Sequence, residues 1–296
     1  MSKSQMIIRF RGGLGNQMFQ QAFLIALRQM SSGEIKIDLS EYERRSQHNG
    51  YELERVFGIK NDVATREEIA KYTLILDNKL LYKIYSKLSF LNSTDIKEIH
   101  SYKYYPDILK RAREGYYDGY WQCHRYFDDY RELVRQTFTF AQPLDSRNAE
   151  LAEEILNHPR SVSIHVRRGD YLKHRIYKGL CGVDYYRRAI EYVQETLGTE
   201  TSFYIFSDDM AWCKDNIVDM LGDSRYTLVD WNTSDNSYRD MQLMTMCRVN
   251  IIANSSFSWW AAYINQRDGH LVVAPKRWVN QPLEYSMQLE EWNAIL

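Results

Sequence analysis

The second half of the chain alternates between short apolar runs and longer segments with helical spacing. Val162, Ile164 and Val166 alternate with polar residues, and this period of two is typical of a β-strand. Further strands are predicted over residues 202–206, 226–229, 249–253 and 271–274. Helices are predicted near residues 148–157, 184–197, 210–221 and 238–247, with another from Ser256. Strands that alternate with helices of this length predict βαβ units on a parallel sheet.

The first half opens with a similar unit. The pattern predicts a strand over residues 5–10, a tight loop over residues 11–17, and a helix from Gln17 to about Met30. A strand over residues 34–38 completes this unit. The apolar face of the helix is predicted to carry Phe19, Phe23, Ala26 and Met30.

The stretch from Ser40 to Tyr117 is charged and rich in tyrosine, and its pattern is less regular. Helical spacing predicts a helix over residues 78–90. A strand that runs into a loop is predicted over residues 116–122, followed by a helix near residues 127–137.

A polar segment around Pro143 marks a boundary between two halves. We expect an N-terminal Rossmann-like domain over residues 1–142, on the acceptor side, and a C-terminal donor-binding domain over residues 143–296. The length of 296 residues supports two domains, since single cores seldom grow beyond roughly 250 to 300 residues. The predicted fold class is α/β, with two Rossmann-like domains that face a cleft.

Composition narrows the classes of partner. The 38 basic and 39 acidic residues leave a net charge of −1, so no overall positive field favours nucleic acid or an anionic bilayer. No apolar run approaches the roughly 18 to 20 residues of a membrane span, and the N-terminus lacks the apolar region of a signal peptide. The four cysteines and seven histidines show no metal-ligand spacing. We therefore expect a cytoplasmic protein with free thiols and no metal.

The segment after the strand at Ser161 carries the strongest chemical signal. Arg167, Arg168, Gly169 and Asp170 follow that strand, and ligands bind at the carboxyl ends of strands in open α/β sheets. A guanidinium group matches a phosphate with two parallel hydrogen bonds. From this segment alone, two interpretations stay open: a clamp for a diphosphate, and a surface salt-bridge cluster.

The glycine loop (residues 11–17) is a second candidate anion site. It leads into a helix N-terminus, where unpaired backbone N–H groups and the helix dipole favour negative charge. As a dinucleotide fingerprint it is incomplete, because Met18 stands where the third glycine of GxGxxG is required.

Four further polar groups lie at predicted strand or helix ends. Residues 207–209 (SDD) suit a helix cap, a ribose contact or a solvated turn. Residues 254–258 (NSSFS) open a helix and suit either an anion or a simple serine cap. Asp240 begins a helix and is either a dipole partner or an acceptor for guanine N–H groups. Asp118 and Gln122 lie on an edge that faces either a cleft or solvent.

Several of these segments resemble the bacterial α-1,2-fucosyltransferases of glycosyltransferase family 11 in type and order. The segments are residues 12–17 (GGLGNQ), 119–122 (GYWQ), 165–171 (HVRRGDY), 207–209 (SDD) and 254–260 (NSSFSWW). The resemblance extends from about Ile7 to Trp278 and implies a metal-independent GT-B architecture with GDP-fucose as the donor. No further cofactor is implied.

The resemblance also implies roles for individual residues. His165 and Arg167 are expected to hold the diphosphate, with Arg167 on the departing β-phosphate. Asp240 is expected to read guanine, and Asn16 to reach the donor across the cleft. The other expected donor contacts are Gly13, Gly15, Asp208, Ser255 and Ser256.

Two departures from related families concern the chemistry. Gly13 stands where the protein O-fucosyltransferases have an arginine. In the core fucosyltransferases a glutamate follows the HxR motif, but no glutamate stands between His165 and Glu191 here. The resemblance therefore leaves the catalytic base open among Asp170, Asp118 and a water-assisted route.

The activity implied by the resemblance is inverting transfer of L-fucose from GDP-β-L-fucose to the 2-hydroxyl of a terminal β-galactoside. The acceptor is expected to be a free oligosaccharide or a lipid-linked glycan, the latter with peripheral association at the inner face of the cytoplasmic membrane. Two other classes stay open: a nicotinamide-dependent oxidoreductase, which would use the glycine loop, and a non-catalytic carbohydrate-binding protein, which would use the 23 tyrosines and 7 tryptophans.

Overall fold

The chain divides into two compact units, Met1–Ala141 and Gln142–Leu296. The computed structural model describes residues 4–44, 49–74, 93–98, 100–198 and 200–295. The helix predicted over residues 78–90 lies outside the described residues.

The first unit is built on a four-stranded parallel sheet with the strand order β2-β1-β4-β3. Its strands are β1 (Gln5–Arg9), β2 (Glu34–Asp38), β3 (Asp95–Lys97) and β4 (Gly115–Asp118). Its described helices are α1 (Leu14–Met30), α2 (Ser40–Arg44), α3 (Leu53–Phe57), α4 (Arg66–Ala70), α5 (Pro106–Lys110) and α6 (Arg131–Thr137). The strand order reverses between β1 and β4, which places a topological switch point at their carboxyl ends.

Helix α1 begins earlier than predicted and ends at Met30, as predicted. It begins at Leu14, three residues before the predicted start, with Gly13 at the N-cap position. Phe19, Phe23 and Ala26 are fully buried, but Met30 is 49% exposed because the helix leaves the core before its last turn. The glycine loop therefore includes the first turn of α1.

The helix predicted near residues 127–137 is shorter than expected. Two 3₁₀ turns, His124–Tyr126 and Asp128–Tyr130, precede α6. Phe127, between them, leaves the helical region with a φ of −135°, and its ring is fully buried. Burial of this ring takes precedence over local helix propensity.

The second unit contains a six-stranded parallel sheet with the order β10-β9-β8-β5-β6-β7. Its strands are β5 (Ser161–Val166), β6 (Ser202–Ser207), β7 (Arg225–Val229), β8 (Val249–Ile251), β9 (Leu271–Pro275) and β10 (Asn293–Ile295). Its helices are α7 (Ser146–Asn157), α8 (Val183–Leu197), α9 (Met210–Asn216), α10 (Tyr238–Met244) and α11 (Ser256–Ile264). The order reverses between β5 and β8, where the chain crosses to the other side of the sheet.

Strand β5 is the centre of the second unit and is buried on both faces. Its apolar face packs into a core with residues of α8 and β6, including Tyr186 and Ile205. Its polar face is buried as well: Asn250 on β8 donates a hydrogen bond of 2.6 Å to the Ser163 hydroxyl group. Buried polar groups need such partners, so this pairing makes the alternating sequence compatible with a central strand.

Candidate active site

Arg167 lies at the switch point of the second unit, directly after β5. One guanidinium nitrogen contacts Asp170 at 2.8 Å and the other contacts Asp208, after β6, at 3.0 Å. The Arg167 side chain is 30% exposed, so part of the planar group faces solvent. The two carboxylates orient this cation at the place where an open α/β sheet binds its ligand.

Asp208 also fixes the backbone beneath Arg167. Its carboxylate accepts a hydrogen bond of 2.9 Å from the backbone N–H of Arg168. A Cβ atom on Gly169 would lie 2.7 Å from the same carboxylate, so the close approach requires a glycine. In the structure Asp208 therefore shapes the loop, and its contact with substrate stays a prediction.

Arg168 points to a different set of partners. Its side chain forms an ion pair of 3.1 Å with Asp209 and lies 4.1 Å above the ring of Trp212. Asp209 also caps α9 by accepting from the backbone N–H of Trp212 at 3.1 Å. The two adjacent arginines thus divide into one that faces the candidate site and one that braces the loop.

His165 is a buried residue of β5 beside Arg167, and its ring lies 5.6 Å from that of Phe257. Burial, with a smaller contribution from the Arg167 charge, lowers the pKa of His165 to about 3. Its Nδ1 atom has no hydrogen-bond partner in the described part of the chain. His165 is therefore neutral in the unliganded protein and would offer a phosphate a hydrogen bond rather than a positive charge.

The serine-rich segment opens α11 after β8. Ser255 is the N-cap and accepts a hydrogen bond of 3.3 Å from the backbone N–H of Phe257. Ser258 is buried and donates to the carbonyl group of Ala253, so it stabilises the helix start from inside. Ser256 is the first helical residue, at the positive end of the helix dipole. Ser255 and Ser256 lie at the same switch point as Arg167, because β5 and β8 are neighbours.

Asp240, in the first turn of α10, belongs to a network of side-chain amides. Asn232 donates a hydrogen bond of 2.8 Å to Asp240 Oδ1, and Asn232 in turn pairs with Asn148 on α7 at 2.9 and 3.0 Å. The indole N–H of Trp231 donates to Asn148 at 3.0 Å. Burial raises the pKa of Asp240 to about 7. The sequence alone did not indicate Asn148 or Asn232, since asparagine is common at helix starts.

The glycine loop lies at the switch point of the first unit. Gly12 has a φ of +80°, and a Cβ atom there would lie 2.4 Å from Nδ2 of Asn16. The Asn16 side chain in turn accepts a hydrogen bond from Gln122. Gly13 is the N-cap of α1 and Gly15 is buried in its first turn. Glycine is thus required at position 12 both by conformation and by space.

Asp118, at the end of β4, is enclosed by arginines. It pairs with Arg9 at 3.1 Å and with Arg11 at 3.4 Å, and Arg9 also contacts Glu41 at 2.5 Å. Asp118 and Arg9 are only 6% and 7% exposed. Each carboxylate oxygen of Asp118 therefore faces a guanidinium group.

The predicted site residues thus fall into separate groups. His165, Arg167, Asp170, Asp208, Ser255 and Ser256 lie at one sheet edge of the second unit, while Asp240 lies in its own network in that unit. Gly13, Gly15, Asn16 and Asp118 lie at the sheet edge of the first unit. Among the described residues, no group of three or more His, Cys, Asp or Glu side chains could hold a metal ion, and no helix is long and apolar enough to cross a membrane.

Two relatives that align over nearly their whole length are named as a colitosyltransferase and an O-antigen biosynthesis glycosyltransferase. The chain is 33% identical to an alpha-1,2-colitosyltransferase of Escherichia coli, over 93% of this chain and 92% of the relative. It is 28% identical to the O-antigen biosynthesis glycosyltransferase WbnK of Escherichia coli, over 95% of this chain and 97% of the relative. The human galactoside alpha-(1,2)-fucosyltransferase 1 is 30% identical over 47% of this chain and 40% of its own length.

A solved structure with the same fold is the fucosyltransferase NodZ from Bradyrhizobium. It superposes with a TM-score of 0.51 at 13% identity, over 88% of this chain and 93% of that chain. This likeness confirms the predicted GT-B-like α/β class with two Rossmann-like units. The model of glycosyl transferase family 11 matches residues 66–296, which is more than half of the sequence. The chain therefore belongs to glycosyltransferase family 11.

Proposed function

We propose that this glycosyltransferase is an inverting α-1,2-fucosyltransferase. It would move L-fucose from GDP-β-L-fucose to the 2-hydroxyl group of a terminal β-galactoside, without a metal ion. The observation that carries the proposal is Arg167, held by two carboxylates at the switch point of the second unit, in a chain whose relatives are named as α-1,2-transferases.

In this mechanism Arg167 acts on the leaving group. Negative charge grows on the β-phosphate as the bond to the sugar breaks, and a fixed guanidinium group stabilises that charge without reorganisation. The start of α11 at Ser256 adds the positive end of a helix dipole, and the Ser255 hydroxyl group adds a polar contact. These interactions strengthen as charge develops, so they lower the barrier as well as the donor KM.

Asp240 is proposed to recognise the base of the donor. An ionised carboxylate at this position can accept the N1–H and N2–H groups of guanine, while the bond from Asn232 keeps its orientation. Since burial raises the pKa of Asp240 to about 7, guanine binding should favour the ionised form and strengthen as the pH rises through 7.

The acceptor hydroxyl group must lose a proton during transfer. Of the two predicted bases, Asp118 is only 6% exposed and has both oxygens directed at arginines, which leaves an acceptor hydroxyl group little access to it. The Asp170 side chain is 48% exposed and pairs with Arg167 through one oxygen. Asp170 is therefore the carboxylate that we propose first, with transfer to water as the alternative route.

A second candidate donor is a colitosyl nucleotide. The E. coli relative that is 33% identical over nearly its full length is named as an alpha-1,2-colitosyltransferase. Colitose is L-fucose without the 3-hydroxyl group, so the same diphosphate and guanine contacts would serve both donors. The two candidates differ only in how the protein treats the 3-hydroxyl group.

The test is a competition between donors. Equal concentrations of GDP-fucose and GDP-colitose are offered with a terminal β-galactoside, and the products are identified by mass and by linkage analysis. A fucosylated product in excess, linked to the 2-hydroxyl group, supports the proposal. A colitosylated product in excess would replace it with the second candidate. GDP release that does not depend on the galactoside would contradict the galactoside acceptor, which both candidates share.

The place of action is part of the same proposal. The relative named as an O-antigen biosynthesis glycosyltransferase supports, as the proposed acceptor, a lipid-linked glycan at the inner face of the cytoplasmic membrane or a free oligosaccharide. Fractionation of expressing cells, with and without a high-salt wash, measures whether the protein is cytoplasmic or peripherally bound to that membrane.

A further inference from the structure

A partly buried glutamate that the proposed mechanism does not use lies beside the glycine loop. Glu98 directly follows β3, and its backbone N–H donates a hydrogen bond of 3.0 Å to the carbonyl group of Asp118. Its Oε2 atom accepts from the backbone N–H groups of Tyr120 and Trp121 at 2.8 and 3.3 Å. One carboxylate oxygen therefore satisfies two consecutive donors of the aromatic turn (residues 118–122).

The aromatic turn has a conformation that needs support. Trp121 has a φ of +55°, in the left-handed region that residues other than glycine rarely adopt. Gly119 has no room for a side chain, because a Cβ atom would lie 2.7 Å from Glu98 and from the Trp121 ring. The Trp121 ring is fully buried and stacks on Phe23 with ring centroids 4.2 Å apart. The bonds to Glu98 and this stacking hold a strained backbone in place.

The aromatic turn contacts the glycine loop at three points. Gln122 donates to the side chain of Asn16, and Arg11 lies 4.3 Å above the ring of Tyr120. Gln20 bridges both segments, because it bonds both backbone polar groups of Arg11 at 3.0 and 3.2 Å and reaches the carbonyl group of Gly119 at 3.5 Å. A change in the shape of the turn would therefore move the Asn16 side chain.

The chemistry of Glu98 fits a hydrogen-bond acceptor that does not need its charge. Burial raises the pKa of Glu98 to about 7, so both protonation states are populated near neutral pH. Either state keeps an oxygen that accepts from the two N–H groups. The other oxygen, Oε1, is enclosed and has no hydrogen-bond partner in the part of the chain that the structure describes.

We infer that Glu98 is a positioning residue: by holding the aromatic turn, it places Gln122 against Asn16 and so sets the Asn16 side chain for the sugar nucleotide. This inference rests on the proposed function and on the contact of Asn16 with the donor, which the resemblance to family 11 implies. A glutamate that acts in this way needs length and an acceptor oxygen, and it does not need negative charge.

Two substitutions separate length from charge. Glu98→Gln keeps the reach and the acceptor oxygen and removes the charge, so kcat/KM for GDP-fucose should stay within about 3-fold of the wild type. Glu98→Asp keeps the charge but is one methylene shorter, so the two N–H groups lose their acceptor. The loss should be about 10- to 100-fold in kcat/KM, mainly as a higher KM for the donor. The same pair of changes at exposed Glu132 should have no effect.

A double-mutant cycle tests whether the effect passes through Asn16. If it does, Glu98→Asp should cost much less in an Asn16→Ala background than in the wild type. A Glu98→Gln variant as impaired as Glu98→Asp would overturn the inference and point to a proton acceptor instead. Additive effects with Asn16→Ala, or a Glu98→Asp variant with an unchanged donor KM, would also overturn it.

Failure of the proposed function gives a different result. If the wild-type protein transfers no sugar from GDP-fucose or GDP-colitose, the proposed function is wrong, and the variants are then compared by GDP binding in a calorimeter. Weaker GDP binding by Glu98→Asp, retained binding by Glu98→Gln and coupling to Asn16→Ala would support the positioning role in a GDP-binding protein. Equal binding by all variants would overturn the positioning role as well.

Discussion

Replacement of Asp240 by asparagine should stabilise the protein and weaken its binding of GDP. Asp240 is partly buried, and the bond of 2.8 Å from Asn232 reaches its Oδ1 atom. An asparagine can keep a carbonyl oxygen in that position while it removes the charge. The substitution therefore separates the cost of burying a carboxylate from the benefit that this carboxylate gives to a guanine base.

The size and the sign of the stability effect follow from the pKa. Burial raises the pKa of Asp240 from 3.8 to about 7, so the folded protein retains a proton that the unfolded chain releases above pH 4. The free energy of unfolding therefore falls as the pH rises from about 4 to 7. At about 1.4 kcal/mol for each pH unit, the upper limit is roughly 4 kcal/mol. Because Asp240 keeps some contact with solvent, we expect a gain of about 1 to 3 kcal/mol for Asp240→Asn at pH 8.

Urea unfolding at pH 5 and pH 8 measures the stability effect, and titration calorimetry with GDP measures the binding effect. Asp240→Asn should gain more stability at pH 8 than at pH 5, and its GDP affinity at pH 8 should fall by about 10-fold or more. In the wild type, GDP affinity should increase as the pH rises through 7, and in the variant this dependence should disappear. Exposed Asp215→Asn is the matched control. An equal gain at both pH values, or unchanged GDP affinity, would refute the reasoning.

Three further changes test other parts of the site and the fold. In Arg167→Lys, the lysine cannot contact Asp170 and Asp208 together. The loss of roughly 1.5 to 3 kcal/mol of transition-state stabilisation should lower kcat about 10- to 100-fold in a GDP-release assay. Unaltered turnover would show that Arg167 does not belong to the site. Gly12→Ala places a Cβ atom against Asn16 at a φ of +80°. The free energy of thermal unfolding should therefore fall by about 1 to 3 kcal/mol, and the donor KM should rise. An unchanged donor KM would show that the loop does not contact the donor. Arg267→Ala removes four hydrogen bonds, to Ile155, Leu156, Ser161 and Met246. The free energy of unfolding in urea should therefore fall by about 2 to 3 kcal/mol, while kcat of the folded enzyme stays unchanged. A lower kcat would indicate a role beyond stability.

Much of the element order was predictable because it depends on local periodicity. The alternation at Val162, Ile164 and Val166 and the spacing of the following helices reflect which faces are buried. Two of the three strands with three residues, β3 and β10, were not predicted, whereas β8 was predicted because it belongs to a longer apolar run. Met30 continues the predicted apolar face but is exposed, because periodicity does not show where a helix leaves the core.

The individual site residues were less accessible than the motifs that contain them. Arg167 and Asp208 stood out as charged residues after predicted strands, but their ion pair joins positions 41 residues apart and depends on the parallel pairing of β5 and β6. Glu98 and Asn232 had no signal in the sequence. Their importance arises from burial and from hydrogen bonds, which Glu98 forms with the aromatic turn and Asn232 forms with Asp240.

The sequence by itself determined the class of the fold, the location of the Arg167 segment at a strand end and the resemblance to a family of glycosyltransferases. These properties follow from the order of residue types along the chain. Only the tertiary structure decided that His165 is neutral, that Asp118 is enclosed by two arginines and that Glu98 holds the aromatic turn. Protonation and ion pairing depend on burial and on distances between side chains. Strand pairing and tertiary packing determine both the burial and these distances.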